Sequence, residues 1–214
     1  MGKWFLFAFF LLPILALAQS DLEKARESFA QKLYPEAKKY YLTLYRSDAN
    51  DAETVERLGD VCSYSKNWEE ASVYYRKLIK LRPKSAQANY KYGGALAMQA
   101  SESKWKALGL LDDIEQAFEK TIALDPKHVE ARWALVEFYL QLPGILGGSE
   151  SKANKYADDL ARLSPVDHYL AKGRIAEYFN RLEAAEKYYL KAHAIGNSET
   201  TLKKLKSVRK KMSD

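Results

Sequence analysis

The chain has 214 residues and a formal net charge of +6, and its length suits one domain with no room for a second. Six basic residues within the last twelve positions account for this excess, so the rest of the chain is electrically balanced. A nucleic-acid-binding protein would instead present a basic stripe along its body. Cys62 is the only cysteine, which excludes an internal disulfide, and we interpret it as a buried apolar residue.

The first eighteen residues match a secretory signal peptide. Lys3 supplies the positive charge, an uncharged apolar run follows from Trp4, and Ala16-Leu17-Ala18 has the pattern of a cleavage site. The apolar stretch from Trp4 to Ala18 has 15 residues and is short for a bilayer span, which needs about 20. We expect cleavage after Ala18 and an exported protein, periplasmic or secreted. An uncleaved membrane anchor is the alternative.

Further along, one pattern of small and large residues recurs at a spacing of 34 residues. Tyr34 recurs as Trp68, Ala37 as Ala71, Tyr41 as Tyr75, Leu44 as Leu78, and Leu58-Gly59 as Tyr92-Gly93. A period of this length is typical of a pair of antiparallel helices that cannot bury its apolar face alone. Such pairs stack on their neighbours and form an extended concave surface.

The most regular unit resembles the tetratricopeptide repeat (TPR). It has the Leu58-Gly59 pair, the Trp68-Glu69-Glu70-Ala71 opening of a second helix, then Tyr75, Leu78 and a closing Pro83. The resemblance implies an all-α fold, a right-handed α-solenoid of about five TPR-like helix-turn-helix units plus a C-terminal capping helix. A signal peptide at 1–18 then precedes a solenoid domain at 19–214. We assign its units to residues 19–51, 52–85, 86–128, 129–165 and 166–197, and the capping helix to 198–212.

Two insertions depart from a plain repeat array. The first surrounds residues 100–107, and the second runs from Leu142 to Ser149 with three glycines. No Gly-Lys-Ser/Thr follows these glycines and no strand precedes them, which argues against a nucleotide-binding loop. We interpret the second insertion as a tight apolar turn tucked against its own helix pair, with Ser149 as an N-cap. A loop that contacts a partner is the alternative.

The sequence offers no constellation for catalysis. Ser101-x-x-Lys104 and Ser149-x-x-Lys152 lack the partner motifs of penicillin-binding enzymes. His128, His168 and His193 lie far apart, and we interpret the first two as exposed loop or first-turn residues. We expect no catalytic residue, no cofactor and no metal site.

In the TPR family the exposed side of the first helix of each unit lines the concave groove. The resemblance therefore implies ten groove residues: Glu56, Asp60, Tyr64, Tyr90, Lys91, Trp133, Glu137, Arg174, Glu177 and Tyr178. Aromatic rings between charges of both signs suit a peptide or protein ligand. Some relatives grip a C-terminal carboxylate with Lys and Asn, but Glu56 and Asp60 stand in those places and would repel one.

The favoured function is a non-catalytic protein–protein interaction module that presents this groove in the cell envelope, with a protein or peptide partner and no nucleic acid. The alternative is a structural accessory that braces or dimerises an envelope complex through its insertions or its basic C-terminal helix. In that helix Lys203, Lys206 and Lys210 share one face opposite Leu202 and Leu205, as in a capping helix with a solvated side. Contact of this face with an anionic membrane is a less favoured alternative.

Overall fold

A computed structural model describes residues 21–103 and 107–213, and these residues form helices and turns without a strand. The predicted all-α class is therefore confirmed. The predicted signal peptide and residues 104–106 of the first insertion lie outside the described residues.

Residues 21–30 form α1. The following helices are α2 (Tyr34–Ser47), α3 (Ala52–Tyr64), α4 (Trp68–Leu81), α5 (Ala86–Glu102), α6 (Leu111–Leu124), α7 (Val129–Gln141), α8 (Glu150–Asp159), α9 (Pro165–Tyr178), α10 (Leu182–Gly196) and α11 (Glu199–Ser213).

The chain divides into two compact units, one up to Ile114 and the other from Glu115 onward. Within the first unit, α2 packs on α3, α3 on α4, and α4 on α5. Within the second, α7 packs on α8, α8 on α9, α9 on α10, and α10 on α11. Each unit is therefore built from helical hairpins that stack on their sequence neighbours.

Three hairpins share one turn. Lys32, Lys66 and Asn180 adopt left-handed backbone angles with φ of 61°, 59° and 56°. After each of them, the next N–H donates back to a carbonyl five residues earlier: Leu33 to Ser28, Asn67 to Cys62, and Arg181 to Ala176, at 2.8, 2.8 and 2.9 Å. This is the hydrogen bond of a Schellman helix ending, which satisfies a carbonyl that the helix leaves free. The repeat in the sequence is thus also a repeat of backbone geometry.

Helix starts use side-chain caps. The side chains of Asp51, Asn67, Ser85, Ser149 and Ser164 each accept from a backbone N–H in the first turn of the helix that follows. A cap of this kind satisfies an otherwise free donor at the helix end. The predicted N-cap role of Ser149 is confirmed.

The hairpins bury the small and large residues that the repeat pattern brings together. Leu58, Cys62, Ala71, Tyr75 and Leu78 are all buried, as are Leu135, Tyr139, Ala153 and Leu160. The first unit has a cluster of Ala25, Ala37, Tyr41, Leu58 and Val61, and the second a cluster of Ala176, Ala185, Tyr189, Leu205 and Val208. The final helix α11 contributes to the second cluster and so closes its apolar face.

The glycine-rich insertion differs from our interpretation. It is tight, because Gly148 N–H donates to Pro143 O and Ser149 N–H donates to Tyr139 O, both at 3.1 Å. However, the side chains of Ile145 and Leu146 are exposed and are not tucked against the helix pair. Ile145 is 95% exposed, since the short 3₁₀ turn Gly144–Leu146 projects its side chain outward.

Candidate functional site

A surface pocket of about 270 Å³ lies in the second unit, among the side chains of three helices. Trp133 and Glu137 come from α7, Asp167, Leu170 and Arg174 from α9, and Thr200 and Lys204 from α11. Each helix presents residues three, four or seven positions apart, which places them on one face of that helix. The pocket therefore combines two apolar side chains with two acids and two bases.

The Trp133 ring is fixed by a hydrogen bond. Its Nε1–H donates to Asp167 Oδ1 over 2.8 Å. Asp167 lies in the first turn of α9, where Ser164 is the N-cap, and its other oxygen accepts from the Ser164 hydroxyl over 2.5 Å. The helix N-terminus also stabilises a negative charge there. The indole ring is therefore held in place and forms one wall of the pocket.

A bidentate ion pair forms the second wall of the pocket. Arg174 Nε donates to Glu137 Oε1 over 2.8 Å, and Arg174 Nη2 donates to Glu137 Oε2 over 3.1 Å. The hydrogen bonding of Arg174 to the Glu137 carboxylate outweighs the effect of burial and raises the pKa of Arg174. The guanidinium also lies over the Tyr178 ring, 5.6 Å from its centroid. Both charges of this pair are therefore already satisfied within the protein.

Lys204 is the remaining charged group of the pocket. It is exposed, and among the residues that the structure describes it has no acidic partner within ion-pairing distance. Its charge acts at longer range on Glu177, whose carboxylate is paired with Lys211 over 2.6 Å. Within the described part of the chain, Lys204 is thus the cation of this pocket that the fold leaves available.

Glu177 lies three positions after Arg174 on α9, outside the pocket lining. Tyr189 Oη–H donates to its Oε2 over 2.7 Å, and the Lys211 ammonium donates to Oε1. Burial disfavours its charge, but these hydrogen bonds and the lysine charges outweigh burial and lower the pKa of Glu177. These contacts tie α9, α10 and α11 together beside the pocket.

A comparison with known protein families identifies the repeat that the α3–α4 hairpin forms. Residues 52–85 match the family model of the tetratricopeptide repeat. The chain therefore carries a tetratricopeptide repeat at these residues. The match covers the repeat that carries Leu58-Gly59 and Pro83. The sequence resemblance is strongest in this same repeat.

Solved TPR structures share the fold. The chain is 21% identical to MamA, with a TM-score of 0.67 over 83% of this chain and 90% of that chain. It is 15% identical to TTC0263, a thermophilic TPR protein of Thermus thermophilus, with a TM-score of 0.65 over 89% and 98%. It is 16% identical to YrrB, described as a TPR protein with an unusual peptide-binding site, with a TM-score of 0.60 over 83% and 85%. No curated protein sequence matches the chain.

In the first compact unit, the charged residues that we predicted to line the groove form ion pairs with each other or with Arg82. Lys91 Nζ lies 2.7 Å from both Glu56 Oε1 and Asp60 Oδ1, and Arg82 lies 3.0 Å from Glu56 Oε2. Burial disfavours the charge of Glu56, but the Lys91 hydrogen bond and the nearby cations outweigh it and lower the pKa of Glu56. We expected Asp60 on an exposed side, which is wrong. It is 7% exposed because Tyr75 Oη–H donates to it over 2.9 Å from the adjacent helix.

The predicted aromatic groove residues occupy different environments. Tyr64 is exposed at the end of α3 and stacks on Tyr34, with ring centroids 5.3 Å apart. Tyr178 holds the corresponding place at the end of α9 and meets Phe179 edge-on. Tyr90 is half-buried on α5. Of the ten predicted residues, three line the pocket: Trp133, Glu137 and Arg174.

The sequence did not lead us to predict four of the residues that line the pocket. Asp167 and Leu170 precede Arg174 by seven and four positions on the same helix, so helical spacing alone could have found them. Thr200 and Lys204 belong to α11, in which we had assigned Lys203, Lys206 and Lys210 to a solvated face and made no assignment for these two residues. Only the packing of α11 on α10 reveals that this helix also faces the pocket.

No group of three or more potential metal ligands occurs among residues 21–103 and 107–213. Cys62 is 1% exposed, and burial raises the pKa of its thiol to about 12.

His128 and His168 do lie at helix starts, but our expectation that they are exposed is wrong. Their side chains are 10% and 17% exposed, because His128 caps α7 and His168 Nδ1 lies 2.8 Å from Ala157 O.

Proposed function

We propose that this protein is a non-catalytic interaction module that binds a peptide segment of a protein partner, with the pocket of the second unit as its anchor site. The pocket between Trp133 and Arg174 carries this proposal. Its aromatic wall and its ion pair are fixed before any ligand arrives, so little ordering entropy opposes binding. Tryptophan and arginine are also the residue types that dominate binding energy at protein interfaces.

The TPR fold is in keeping with this function. One structural neighbour, YrrB, is described as having a peptide-binding site, although its identity of 16% extends only the fold to this chain. Fold does not determine a ligand, so the argument for binding rests on the pocket itself. No helix in the described part of the chain is long and apolar enough to cross a membrane.

A peptide-display experiment tests the proposal. We expect the full-length protein to select peptides from a random display library, and Trp133→Ala to lose them. Val73→Ala is the matched control, because Val73 is an exposed apolar residue of the first unit outside the pocket. Thermal melting of Trp133→Ala must show that the variant is folded. Selected peptides that bind equally well to Trp133→Ala would reject the pocket as the anchor site.

A structural accessory role is the second candidate, and the exposed Ile145 favours it. Two main-chain hydrogen bonds hold the turn that carries Ile145, so its exposed side chain is available to a partner surface. Ile145→Asp should then abolish self-association or complex formation measured by analytical ultracentrifugation, while peptide binding in the pocket stays intact. Unchanged sedimentation would remove this candidate.

We also propose that the protein is exported. The support is the pattern of Lys3, the apolar run and Ala16-Leu17-Ala18, which together match a signal peptide. N-terminal sequencing of the native protein should begin at Gln19. An intact Met1 in the membrane fraction would favour an uncleaved anchor instead.

A further inference from the structure

We propose that the peptide bound in this pocket carries a large apolar side chain directly beside an acidic residue. The apolar side chain sits between Trp133 and Leu170, and the carboxylate pairs with Lys204. This inference rests on the proposed function and specifies the chemistry of its ligand.

The pocket size favours a single apolar anchor. Its volume of about 270 Å³ lies below the range of pockets that hold drug-sized molecules, which starts near 300 Å³. One Leu- or Phe-sized side chain suits such a space. The indole face of Trp133, held by Asp167, and the Leu170 side chain give that anchor two apolar surfaces.

The charges of the pocket favour an anion beside that anchor. Glu137 is engaged at both oxygens by Arg174, and Asp167 accepts from Trp133 and Ser164. An incoming cation would therefore meet two carboxylates that already have their donors. An incoming carboxylate meets Lys204, which the fold leaves without an acidic partner among the described residues.

The geometry of α11 adds a second donor. Thr200 precedes Lys204 by four positions and lines the same pocket, so its hydroxyl lies on the same face of the helix. A carboxylate between them can accept from an ammonium and from a hydroxyl. A side-chain carboxylate meets this requirement, so the peptide needs no free C-terminus.

The contribution of the charge is limited by solvent. Lys204 is exposed, and an exposed ion pair contributes up to about 1 kcal/mol, which corresponds to roughly fivefold in affinity. The apolar anchor supplies the remainder of the binding free energy. The acidic residue consequently determines selectivity more than it determines total affinity.

An array of synthetic peptides tests this chemistry with the full-length protein. Every pair of residues is placed at the centre of one Ala/Ser host sequence, with acetylated and amidated ends. We expect the strongest binding for Leu, Phe, Met or Ile next to Asp or Glu. In solution, a Leu-Glu peptide should bind about fivefold more tightly than the matching Leu-Lys peptide, as measured by fluorescence anisotropy at low salt.

A charge reversal provides the discriminating variant. Lys204→Glu should invert the preference, so that the Leu-Lys peptide binds more tightly while the apolar requirement stays. Lys206→Glu is the matched control on the same helix, because it makes the same charge change outside the pocket lining, and it should keep the original preference.

The outcomes separate the two proposals. Peptides that bind in a Trp133-dependent manner but show no charge preference, or a preference that Lys204→Glu does not invert, would overturn the acidic-peptide inference alone. The absence of any Trp133-dependent peptide binding would overturn the peptide-binding function and this inference together. Both substituted lysines are exposed, so neither charge reversal is expected to prevent folding.

Discussion

A Cβ on Gly59 would lie 2.5 Å from Cε1 of Tyr75, closer than any real Cβ contact. The same relationship recurs in the second unit, where a Cβ on Gly173 would lie 2.4 Å from Cε1 of Tyr189. In both places the tyrosine ring packs directly against the helix at the glycine. The tyrosine hydroxyl then reaches a carboxylate on that helix, Asp60 in the first unit and Glu177 in the second.

Gly59→Ala should therefore destabilise the protein. Alanine favours a helix over glycine by about 1 kcal/mol, but the overpacked Tyr75 ring should cost about 1–3 kcal/mol and prevail. Gly94→Ala is the matched control, since a Cβ there meets nothing within 4 Å, and it should stabilise the protein slightly. Urea denaturation measures both changes. A Gly59→Ala variant as stable as Gly94→Ala would contradict the close contact.

Tyr75→Phe should lower the free energy of unfolding by about 1–2 kcal/mol, because it removes a hydrogen bond to the buried Asp60 carboxylate. Tyr64→Phe is the control, because Tyr64 is 62% exposed, and it should change stability by less than about 0.5 kcal/mol. Thermal melts of the two variants give the comparison. Equal melting temperatures would mean that Asp60 does not depend on the Tyr75 hydroxyl.

The helices and the core were predictable from the sequence because the repeat pattern records packing directly. Gly59, Ala71 and Tyr75 recur in register since each hairpin needs a close approach at one point and a large ring at another. The pocket was less accessible, because it depends on which charges find partners. Asp60 has the helical spacing of a groove residue, yet the Tyr75 hydroxyl and Lys91 cover it. Lys204 lies among several lysines of the final helix, and only the packing of that helix shows that it lines the pocket.

Stability should fall in acid as Glu177 loses its charge. Its pKa is lowered in the folded protein, so its contribution is fully present above the unfolded value of about 4.3 and is lost as the pH falls through the lower folded value. Glu177→Gln should reduce stability at pH 7 and flatten its decline below about pH 5. Glu199→Gln, at an acid that is 79% exposed, is the matched control for the same change of side chain. Urea denaturation across pH 3 to 7 makes this comparison.

Cys62 should resist thiol reagents in the folded protein. Its thiol is 1% exposed and burial raises its pKa to about 12, so little reactive thiolate forms at pH 8. Labelling with a chromogenic disulfide reagent should be slow in buffer and complete in denaturant. Rapid labelling of the native protein would show that the α3–α4 hairpin opens readily.

Gly148→Ala should disrupt the glycine-rich insertion, because a Cβ there would lie 1.9 Å from the Leu142 carbonyl oxygen. We expect a loss of about 2 kcal/mol or more, since backbone cannot move aside as a flexible side chain can. Gly144→Ala, where a Cβ meets nothing within 4 Å, should be tolerated. Differential scanning calorimetry of both variants measures the effect, and similar transitions would argue against a rigid loop.

The shared turn at Lys32, Lys66 and Asn180 also bears on how the protein folds. Each hairpin is closed by a main-chain hydrogen bond that spans only five residues, and the helices then pack on their neighbours in sequence. Native contacts are therefore mostly local, and chains with a low contact order fold in microseconds to milliseconds. Any one of these hairpins can act as the first folded piece on which the next helix assembles.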